Sequence, residues 1–288
     1  MLKLQSPSMP SLAALLLSTT LFAAPLLAQQ TRPIPYDNNP AVGKYYAING
    51  FKMYTEVYGS GPPLLMIHGN GGNMSAFAKI VPYFAKHYTV ILADSRSQGK
   101  SLDPDHPLTF EMMADDFATL LDAMHIPSAD VIGWSDGGIN ALLLALRHPE
   151  KVKRLASTGA NLWPTADAFA PGLWDAEKKE YDSGLDKTYT TPQEKNDRKI
   201  FLLDWDQPHI TLAELHTIQA PSLIICGDHD LISITHTVLI YQNIPHANLW
   251  VVPNSGHGTL NNQTADFDRE VNKFFTQPYK DYPNQQVF

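Results

Sequence analysis

The sequence predicts an α/β fold with an eight-stranded, mostly parallel sheet, helices on both faces and an inserted cap. Short, largely apolar runs recur along the chain, for example at residues 64–67, 88–93 and 129–134, and the first of these is uninterrupted. Such runs are typical of parallel strands, because helices cover both faces of a parallel sheet. Between the runs, apolar residues recur at helical spacing, most clearly over residues 109–125. This alternation of strands and helices indicates a parallel sheet with helical crossovers.

The sheet is expected to begin with an antiparallel hairpin. Asn49-Gly50 lies between residues 45–48 and 51–58, and Asn-Gly between two such segments is a strong signal for a two-residue turn. The later strands are predicted at residues 64–67, 88–93, 129–134, 153–157, 222–226 and 249–253. Helices are predicted at residues 109–125 and 138–148, and Thr264 is expected to cap a final amphipathic helix.

The alternation lapses over residues 161–219, which we interpret as a cap inserted into the sheet domain. This stretch is rich in tryptophan and proline, and its charged middle is typical of helices with one face on the core domain and the other in solvent. The core domain then comprises residues 45–160 and 220–276. A leader at residues 29–44 precedes it, and a tail at residues 277–288 follows it.

Residues 1–28 are interpreted as a secretory signal peptide. Lys3 is the only charged residue there, an apolar run follows, and Ala28 supplies a small residue for cleavage. The alternative is a retained membrane anchor, but the apolar run is short for a span and Pro25 interrupts it. The expected location is therefore secreted or periplasmic, with no membrane contact beyond this segment.

Charge and cysteine content exclude several classes of function. The net charge is −8 and no basic stretch is interleaved with aromatic residues, so nucleic acid is not an expected partner. Cys226 is the single cysteine of the sequence, so no intramolecular disulfide is possible and a cysteine-based metal cluster is not expected. We expect neither a metal nor a cofactor.

A Gly-x-Ser-x-Gly motif at residues 133–137 marks the predicted functional site. A serine hydroxyl is a weak nucleophile, and it needs a sharp strand-to-helix turn, an adjacent base and backbone N–H donors to attack a carbonyl group. Gly133 and Gly137 would let strand and helix approach closely, while Ser135 is expected in a strained conformation. The motif alone fits an ordinary Gly-rich turn equally well, so its context decides.

Polar turns follow three other predicted strands. His68 begins a Gly-rich loop after the third strand, Asp228 and Asp230 follow the seventh, and His257 lies in a Gly-flanked turn after the eighth. The carboxyl ends of parallel strands meet at one edge of the sheet, which is where sites form in such folds. The sequence therefore predicts that these groups gather around Ser135.

The chain order Ser135, Asp230, His257 resembles that of the α/β-hydrolase superfamily, and the resemblance extends over residues 45–275. The motif Gly-Trp-Ser-Asp-Gly-Gly is similar to the valacyclovir hydrolase, or biphenyl hydrolase-like, branch. The resemblance implies that His257 acts as general base toward Ser135 and that Asp230 orients the imidazole. Asp230 is preferred to Asp228, because the second acid of such a turn is usually the catalytic one in this superfamily.

The resemblance also implies an oxyanion hole formed by backbone N–H groups of Asp136 and Asn70, with Gly71 as the alternative to Asn70. Substrate contacts are expected from Asp136, Gly71 and Trp134. In the valacyclovir hydrolase branch, a carboxylate at Asp136 would attract a cationic acyl group. We favour the simpler interpretation, in which Asp136 caps the following helix.

The remaining polar residues near these turns are given structural roles. His68 is expected to be buried and to shape the oxyanion loop through hydrogen bonds. His229 and His236 are expected on the surface. Asp94 and Arg96 are expected to brace the loop after the fourth strand.

Taken together, the sequence predicts an exported, cofactor-free serine hydrolase that cleaves a small-molecule ester or related acyl substrate through an acyl-enzyme. The serine nucleophile argues against haloalkane dehalogenases and epoxide hydrolases, since those members use an aspartate. C–C bond hydrolases, aminopeptidases and perhydrolases of this fold share the triad, so these three classes are kept as alternatives. A ligand-binding, receptor-like protein with little turnover is the alternative from another class.

Overall fold

The computed structural model describes residues 34–103 and 106–280. The predicted signal peptide lies outside this part of the chain, and so does most of the predicted tail. Among the described residues, no helix has both the length and the apolar character needed to cross a membrane.

An eight-stranded sheet forms the centre of the fold, which confirms the predicted fold class. Its strands are β1 (Gly43–Ile48), β2 (Phe51–Gly59), β3 (Pro63–Ile67), β4 (Thr89–Ala93), β5 (Ala129–Trp134), β6 (Val152–Thr158), β7 (Ser222–Gly227) and β8 (Ala247–Val252). Their spatial order is β1-β2-β4-β3-β5-β6-β7-β8. β2 pairs with β1 and β4 in antiparallel fashion, and all other neighbours are parallel. The carboxyl ends of β3, β5 and β7 therefore share one edge of the sheet.

Helices pack on both faces of this sheet and connect its strands. They are α1 (Val81–Phe84), α2 (Phe110–Ala123), α3 (Asp136–Arg147), α4 (Leu173–Gly184), α5 (Pro192–Asp206), α6 (Leu212–Leu215), α7 (Ile234–Asn243), α8 (Thr259–Asn262) and α9 (Thr264–Thr276). Two short 3₁₀ segments, Met74–Phe77 and Pro149–Lys151, complete the connections. α2 begins where the sequence predicts, since the Thr109 hydroxyl accepts the Met112 N–H at 3.0 Å and caps the helix.

The sequence of β3 is apolar throughout because the strand is covered on both faces. Successive side chains of a strand point to opposite faces, so Leu65 and Ile67 join one core cluster together with residues of α2 and α3. Leu64 and Met66 join the other cluster, which includes residues of α1 and α9. All four side chains have no exposed surface. Two cores, one on each face, therefore hold the strands that end at the site.

Two predicted helix starts differ from the structure. α3 begins at Asp136, directly after Ser135 and two residues before the predicted start. Thr264 does not cap the final helix; it is the first residue of α9, and its hydroxyl donates back to the Leu260 carbonyl at 2.9 Å. Gln263 occupies the N-cap position instead.

The β6–β7 segment, residues 159–221, carries α4, α5 and α6. Four of its rings form an aromatic column, in the order Phe169, Trp174, Trp205 and Tyr181. Successive ring centroids are 5.6, 4.6 and 4.4 Å apart, and the interplanar angles are at most 15°. Because Trp174 and Tyr181 belong to α4 and Trp205 to α5, the column joins these two helices.

The described residues before β1 are attached to the sheet through a buried carboxylate. Glu56 in β2 is fully buried and accepts the backbone N–H groups of Asp37 at 3.1 Å and Asn39 at 2.9 Å. The hydroxyls of Tyr54 and Tyr58 donate to the same carboxylate at 2.9 and 2.7 Å. Four donors thus compensate one buried negative charge.

The loop after β4 is braced as predicted. Arg96 is buried and donates to Asp103 and Asp116, in each case at 2.6 Å. Asp94 accepts the Met74 N–H at 3.0 Å and the Lys100 N–H at 2.8 Å. These bonds tie the loop to α2 and to the 3₁₀ segment after β3.

Candidate active site

Ser135 sits at the turn between β5 and α3, with φ 58° and ψ −121°. Few non-glycine residues adopt a positive φ, so the turn is strained as the sequence predicts. A Cβ atom at Gly133 would lie 2.0 Å from the Gly137 carbonyl oxygen, and one at Gly137 would lie 1.8 Å from the Ile67 carbonyl oxygen. Glycine at both positions is therefore what allows β3, β5 and α3 to meet at this point.

The structure brings Ser135, His257 and Asp230 into one hydrogen-bonded chain. The Ser135 Oγ lies 2.9 Å from His257 Nε2, and His257 Nδ1 lies 2.6 Å from Asp230 Oδ1. Burial favours the neutral form of Asp230, but hydrogen bonds from His257 and from the N–H groups of Gly227 and Ile232 outweigh it and lower its pKa. Asp230 is thus an anion that can orient and stabilise a protonated imidazole.

Asp228, the rival acid, has a different set of contacts. Its carboxylate accepts the backbone N–H groups of Asn254 and Ser255, each at 2.9 Å, and it does not bond to His257. A hydrogen bond from His229 and these two N–H groups lower the pKa of Asp228 to about 2. Asp228 therefore holds the loop that carries the imidazole.

Trp134 fixes the same loop from the β5 side. Its indole N–H donates to the His257 carbonyl oxygen at 2.9 Å, and its ring centroid lies 5.9 Å from that of the imidazole. On the β6 side, a Cβ atom at Gly159 would lie 2.7 Å from the imidazole Cε1. The ring of His257 is therefore confined between two strand ends.

The loop after β3 lies directly against the nucleophile. A Cβ atom at Gly69 would be 2.9 Å from the Ser135 Cβ, so the backbone there touches the turn. His68 is buried as expected; it accepts the Ser95 N–H at 2.9 Å through Nε2 and contacts the Gly69 carbonyl through Nδ1 at 2.8 Å. Burial lowers the pKa of His68 to about 4, so this ring stays neutral and holds the loop in place.

Asn70 and Asp136 lie side by side at this position. Asp136 is the first residue of α3, so its N–H has no acceptor among the carbonyl groups of the helix. Its carboxylate lies in the first turn, where the helix dipole favours it, although Ser135 is the N-cap residue. The Asn70 side-chain amide donates to Asp136 Oδ2 at 3.0 Å and connects the two segments.

Asp136 also bonds to Asp204, an acid on α5. Burial raises the pKa of Asp136 to about 6, although the hydrogen bonds with Asp204 and Asn70 lower it. Burial and the negative charge of Asp136 raise the pKa of Asp204 well above its ordinary value. Two carboxyl groups in contact cannot both ionise without strong repulsion, so the contact favours a pair in which one carboxyl group keeps its proton.

A cavity of about 130 Å³ opens above Ser135 and His257. Its other lining residues are Asp136, Asn161, Phe169, Leu173, Trp174, Glu177, Asp204, Trp205, Leu231 and Ile232. Gly71 and Trp134 are not among them; Gly71 lines a neighbouring cavity of about 400 Å³, which Asp204 also lines. Within residues 34–103 and 106–280, no group of His, Cys, Asp and Glu side chains could hold a metal ion.

Two acids of the cavity escaped the sequence analysis. Glu177 and Asp204 lie in helices whose charges are typical of a solvent-facing surface, yet both line the cavity. His236 was also misplaced: it is buried, and its Nε2 accepts the Leu162 N–H at 2.9 Å. His229, in contrast, is exposed as predicted. No local sequence signal marks Glu177, Asp204 or His236 as buried or cavity-lining, because the position of each depends on how the β6–β7 segment packs.

Known proteins resemble this chain in sequence and in fold. The family model of the alpha/beta hydrolase fold matches residues 62–189. Serine hydrolase BPHL of Mus musculus is 26% identical over 262 residues, which cover 85% of this chain and 90% of that protein. The 2-hydroxymuconate semialdehyde hydrolase of Pseudomonas sp. (strain CF600) is 38% identical over 127 residues, which cover 43% of this chain and only 45% of that protein.

A solved structure shows the same fold over most of the chain. A hydrolase from Pseudomonas aeruginosa superposes with a TM-score of 0.69 at 21% identity, covering 83% of this chain and 100% of that one. The eight-stranded, mostly parallel sheet of this chain matches the fold of these structural neighbours. The chain therefore has the α/β-hydrolase fold, and in sequence it is similar to the serine hydrolase BPHL.

Proposed function

We propose that the protein is an exported serine hydrolase that cleaves an ester or a related acyl bond through an acyl-enzyme. The observation that carries this proposal is the continuous hydrogen-bonded chain from Ser135 through His257 to Asp230, with separations of 2.9 and 2.6 Å. Such distances suit direct proton transfer between nucleophile and base. The name of the mouse relative, a serine hydrolase, is consistent with it.

The first half of the reaction forms the acyl-enzyme. His257 Nε2 takes the proton of the Ser135 hydroxyl as the oxygen attacks the substrate carbonyl carbon. The N–H groups of Asp136 and Asn70 stabilise the negative oxygen, and loss of one such donor costs about 10²- to 10³-fold in rate. The imidazolium then gives its proton to the leaving group, while the Asp230 carboxylate stabilises the charged ring.

The second half releases the acid product. His257 takes a proton from a water molecule, which attacks the acyl carbon and forms a second tetrahedral intermediate. The bond to the Ser135 oxygen breaks, and the imidazolium returns a proton to that oxygen. The net reaction consumes one water and needs no redox partner.

The charge of the cavity favours esters over the anionic substrates of C–C hydrolysis. Asp136, Glu177 and Asp204 line it, and neither lysine nor arginine is among the residues that form its wall in the described chain. A muconate semialdehyde, which the name of the Pseudomonas relative specifies, carries a carboxylate that this wall would repel. A neutral or cationic acyl compound meets no such barrier.

The test is covalent labelling of the mature protein with a fluorophosphonate, followed by peptide mass spectrometry. We expect a single rapid addition on the peptide that contains Ser135, its absence in Ser135→Ala, and turnover of simple esters by the unmodified protein. A protein that binds small acyl compounds but is never labelled would instead support the receptor-like alternative. Recovery of the exported protein with an N-terminus after residue 28 would support the export part of the proposal.

A further inference from the structure

We propose that Asp204 is a positioning residue that holds helix α5 on the oxyanion region by sharing one proton with Asp136. This inference rests on the proposed function, because it concerns the groups that would stabilise the oxyanion. The hydrogen-bonded set of Asp136, Asp204 and Asn70, together with the Ile200 carbonyl, is called the acid clasp below. It joins the loop after β3, the first turn of α3 and one face of α5.

The contacts of Asn70 show how the acid clasp is built. Its side-chain nitrogen donates to Asp136 Oδ2 at 3.0 Å and to the Ile200 carbonyl oxygen at 3.3 Å, which uses both amide hydrogens. Ile200 and Asp204 are four residues apart on α5 and so lie on one face of the helix. That face therefore contacts both residues whose backbone N–H groups would form the oxyanion hole.

The charges around the acid clasp make its proton necessary. Asp136 is 3% exposed, and it faces Asp204 from α5 and His257 from the loop after β8. Asp204 faces Asp136 from α3 and Glu177 from α4, and Asp197 lines the cavity on its other side. Among the described residues that line the two cavities, none is a lysine or an arginine. With two further acids nearby and no lysine or arginine in either described wall, a retained proton holds the two carboxyl groups together.

Loss of this proton should open the acid clasp. Above the pKa of the pair both carboxyl groups are anions at hydrogen-bond distance, and their repulsion drives α5 away from α3. The side-chain amide of Asn70 then loses the Ile200 carbonyl as a partner, and the backbone N–H of Asn70 is no longer held toward the oxyanion. Because the proton is present below the pKa of the pair and absent above it, activity is expected to decline on the alkaline side.

The first experiment compares pH profiles of ester hydrolysis for the wild type, Asp204→Asn and Glu177→Gln. An asparagine donates to Asp136 at every pH, so the alkaline decline of kcat should disappear in Asp204→Asn. Glu177→Gln is the matched control: its acid lines the same cavity but is not part of the acid clasp. The Glu177 charge raises the pKa of Asp204, so this variant should keep the decline and shift it to lower pH.

Asp204→Ala separates positioning from titration. It removes the donor to Asp136, and we expect kcat to fall about tenfold or more, toward the loss caused by one missing oxyanion donor. Asp204→Asn should recover most of this loss. A wild-type profile that stays level into the alkaline range, or an unchanged decline in Asp204→Asn, would overturn the role of the shared proton.

A second readout does not depend on turnover. Trp205 is the neighbour of Asp204 and stacks on Trp174 with ring centroids 4.6 Å apart, so displacement of α5 should change tryptophan fluorescence. The wild type should show an alkaline fluorescence transition that Asp204→Asn lacks and Glu177→Gln retains. If the transition occurs but Ser135 is never labelled, the acid clasp stands and the proposed function fails. If Ser135 is labelled but Asp204→Asn keeps the transition, the proposed function stands and the acid clasp fails.

Discussion

Asp228 and Asp230 are two residues apart, yet they support His257 in different ways. Asp230 bonds to the imidazole Nδ1, whereas Asp228 bonds to the backbone of the loop that carries the ring. A side-chain contact sets the tautomer and the charge of the imidazole. Backbone contacts set only its position.

Replacement of each acid by asparagine should separate these two effects. Asp230→Asn is expected to lower kcat by about 10⁴-fold, because the amide cannot stabilise the imidazolium and favours the wrong tautomer. Asp228→Asn keeps an acceptor oxygen for one of the two loop N–H groups and does not touch the imidazole, so its loss of kcat should be much smaller. Steady-state ester hydrolysis, with circular dichroism to confirm folding, measures both. Equal losses in the two variants would contradict the assignment of Asp230.

At the scale of residues, the sequence predicts those site residues whose position depends on the turn directly after a strand. Ser135, Asp230 and His257 each follow directly after a strand in a turn that contains glycine, and such turns are visible in sequence. Asp204 and Glu177 were missed because an amphipathic helix does not show which structure its charged face meets. His236 was placed on the surface for a related reason: its partner, the Leu162 N–H, is 74 residues away.

At the scale of elements, the turn around Ser135 depends on contacts between backbones. Gly137 touches the Ile67 carbonyl, so the first turn of α3 rests on the end of β3 with no side chain between them. The fold was predictable here because strand ends and glycines are local features. The start of α3 was not predictable in the same way. Ser135, the residue before the helix, has a strained and non-helical backbone conformation.

Gly137→Ala should therefore be strongly destabilising. The added methyl group would lie 1.8 Å from the Ile67 carbonyl oxygen, and relief requires a shift of strand or helix. Overpacking of this kind costs about 1–3 kcal/mol or more, which thermal unfolding measures. Gly256→Ala is the matched control, since the nearest atom to its methyl group would be 3.5 Å away. Tolerance of both substitutions to the same degree would show that the close approach is not required.

At the scale of the whole molecule, several buried acids bind protons more tightly than the unfolded chain does. Asp268 on α9 is an example outside the site: burial raises its pKa to about 7, although Lys86 lowers it. Burial likewise raises the pKa of Asp130 to about 6. An acid with a raised native pKa adds stability at low pH and loses it as the pH rises through that pKa.

We expect the contribution of Asp268 to the free energy of unfolding to fall as the pH rises from about 4 to about 7, whereas buried His68, whose pKa is lowered to about 4, contributes the opposite slope. Asp268→Asn should flatten part of this slope, because the amide is neutral at every pH. Each unit of pKa shift corresponds to about 1.4 kcal/mol, so the effect should be visible in urea unfolding at several pH values. Asp266→Asn, which removes an exposed carboxylate from the same helix, is the control for the loss of a charge on α9. An identical slope in Asp268→Asn and the wild type would contradict this account.

Glu56 has a consequence for where the chain can be shortened. The sheet starts at residue 43, and a truncation designed from the strands alone would begin there or at residue 45. Such a truncation would delete Asp37 and Asn39, which supply two of the four donors to a carboxylate with no exposed surface. The remaining chain would have to fold around a buried carboxylate that keeps only two of its four hydrogen-bond donors. The six residues before the first strand are thus part of the smallest piece of this protein that can stand alone.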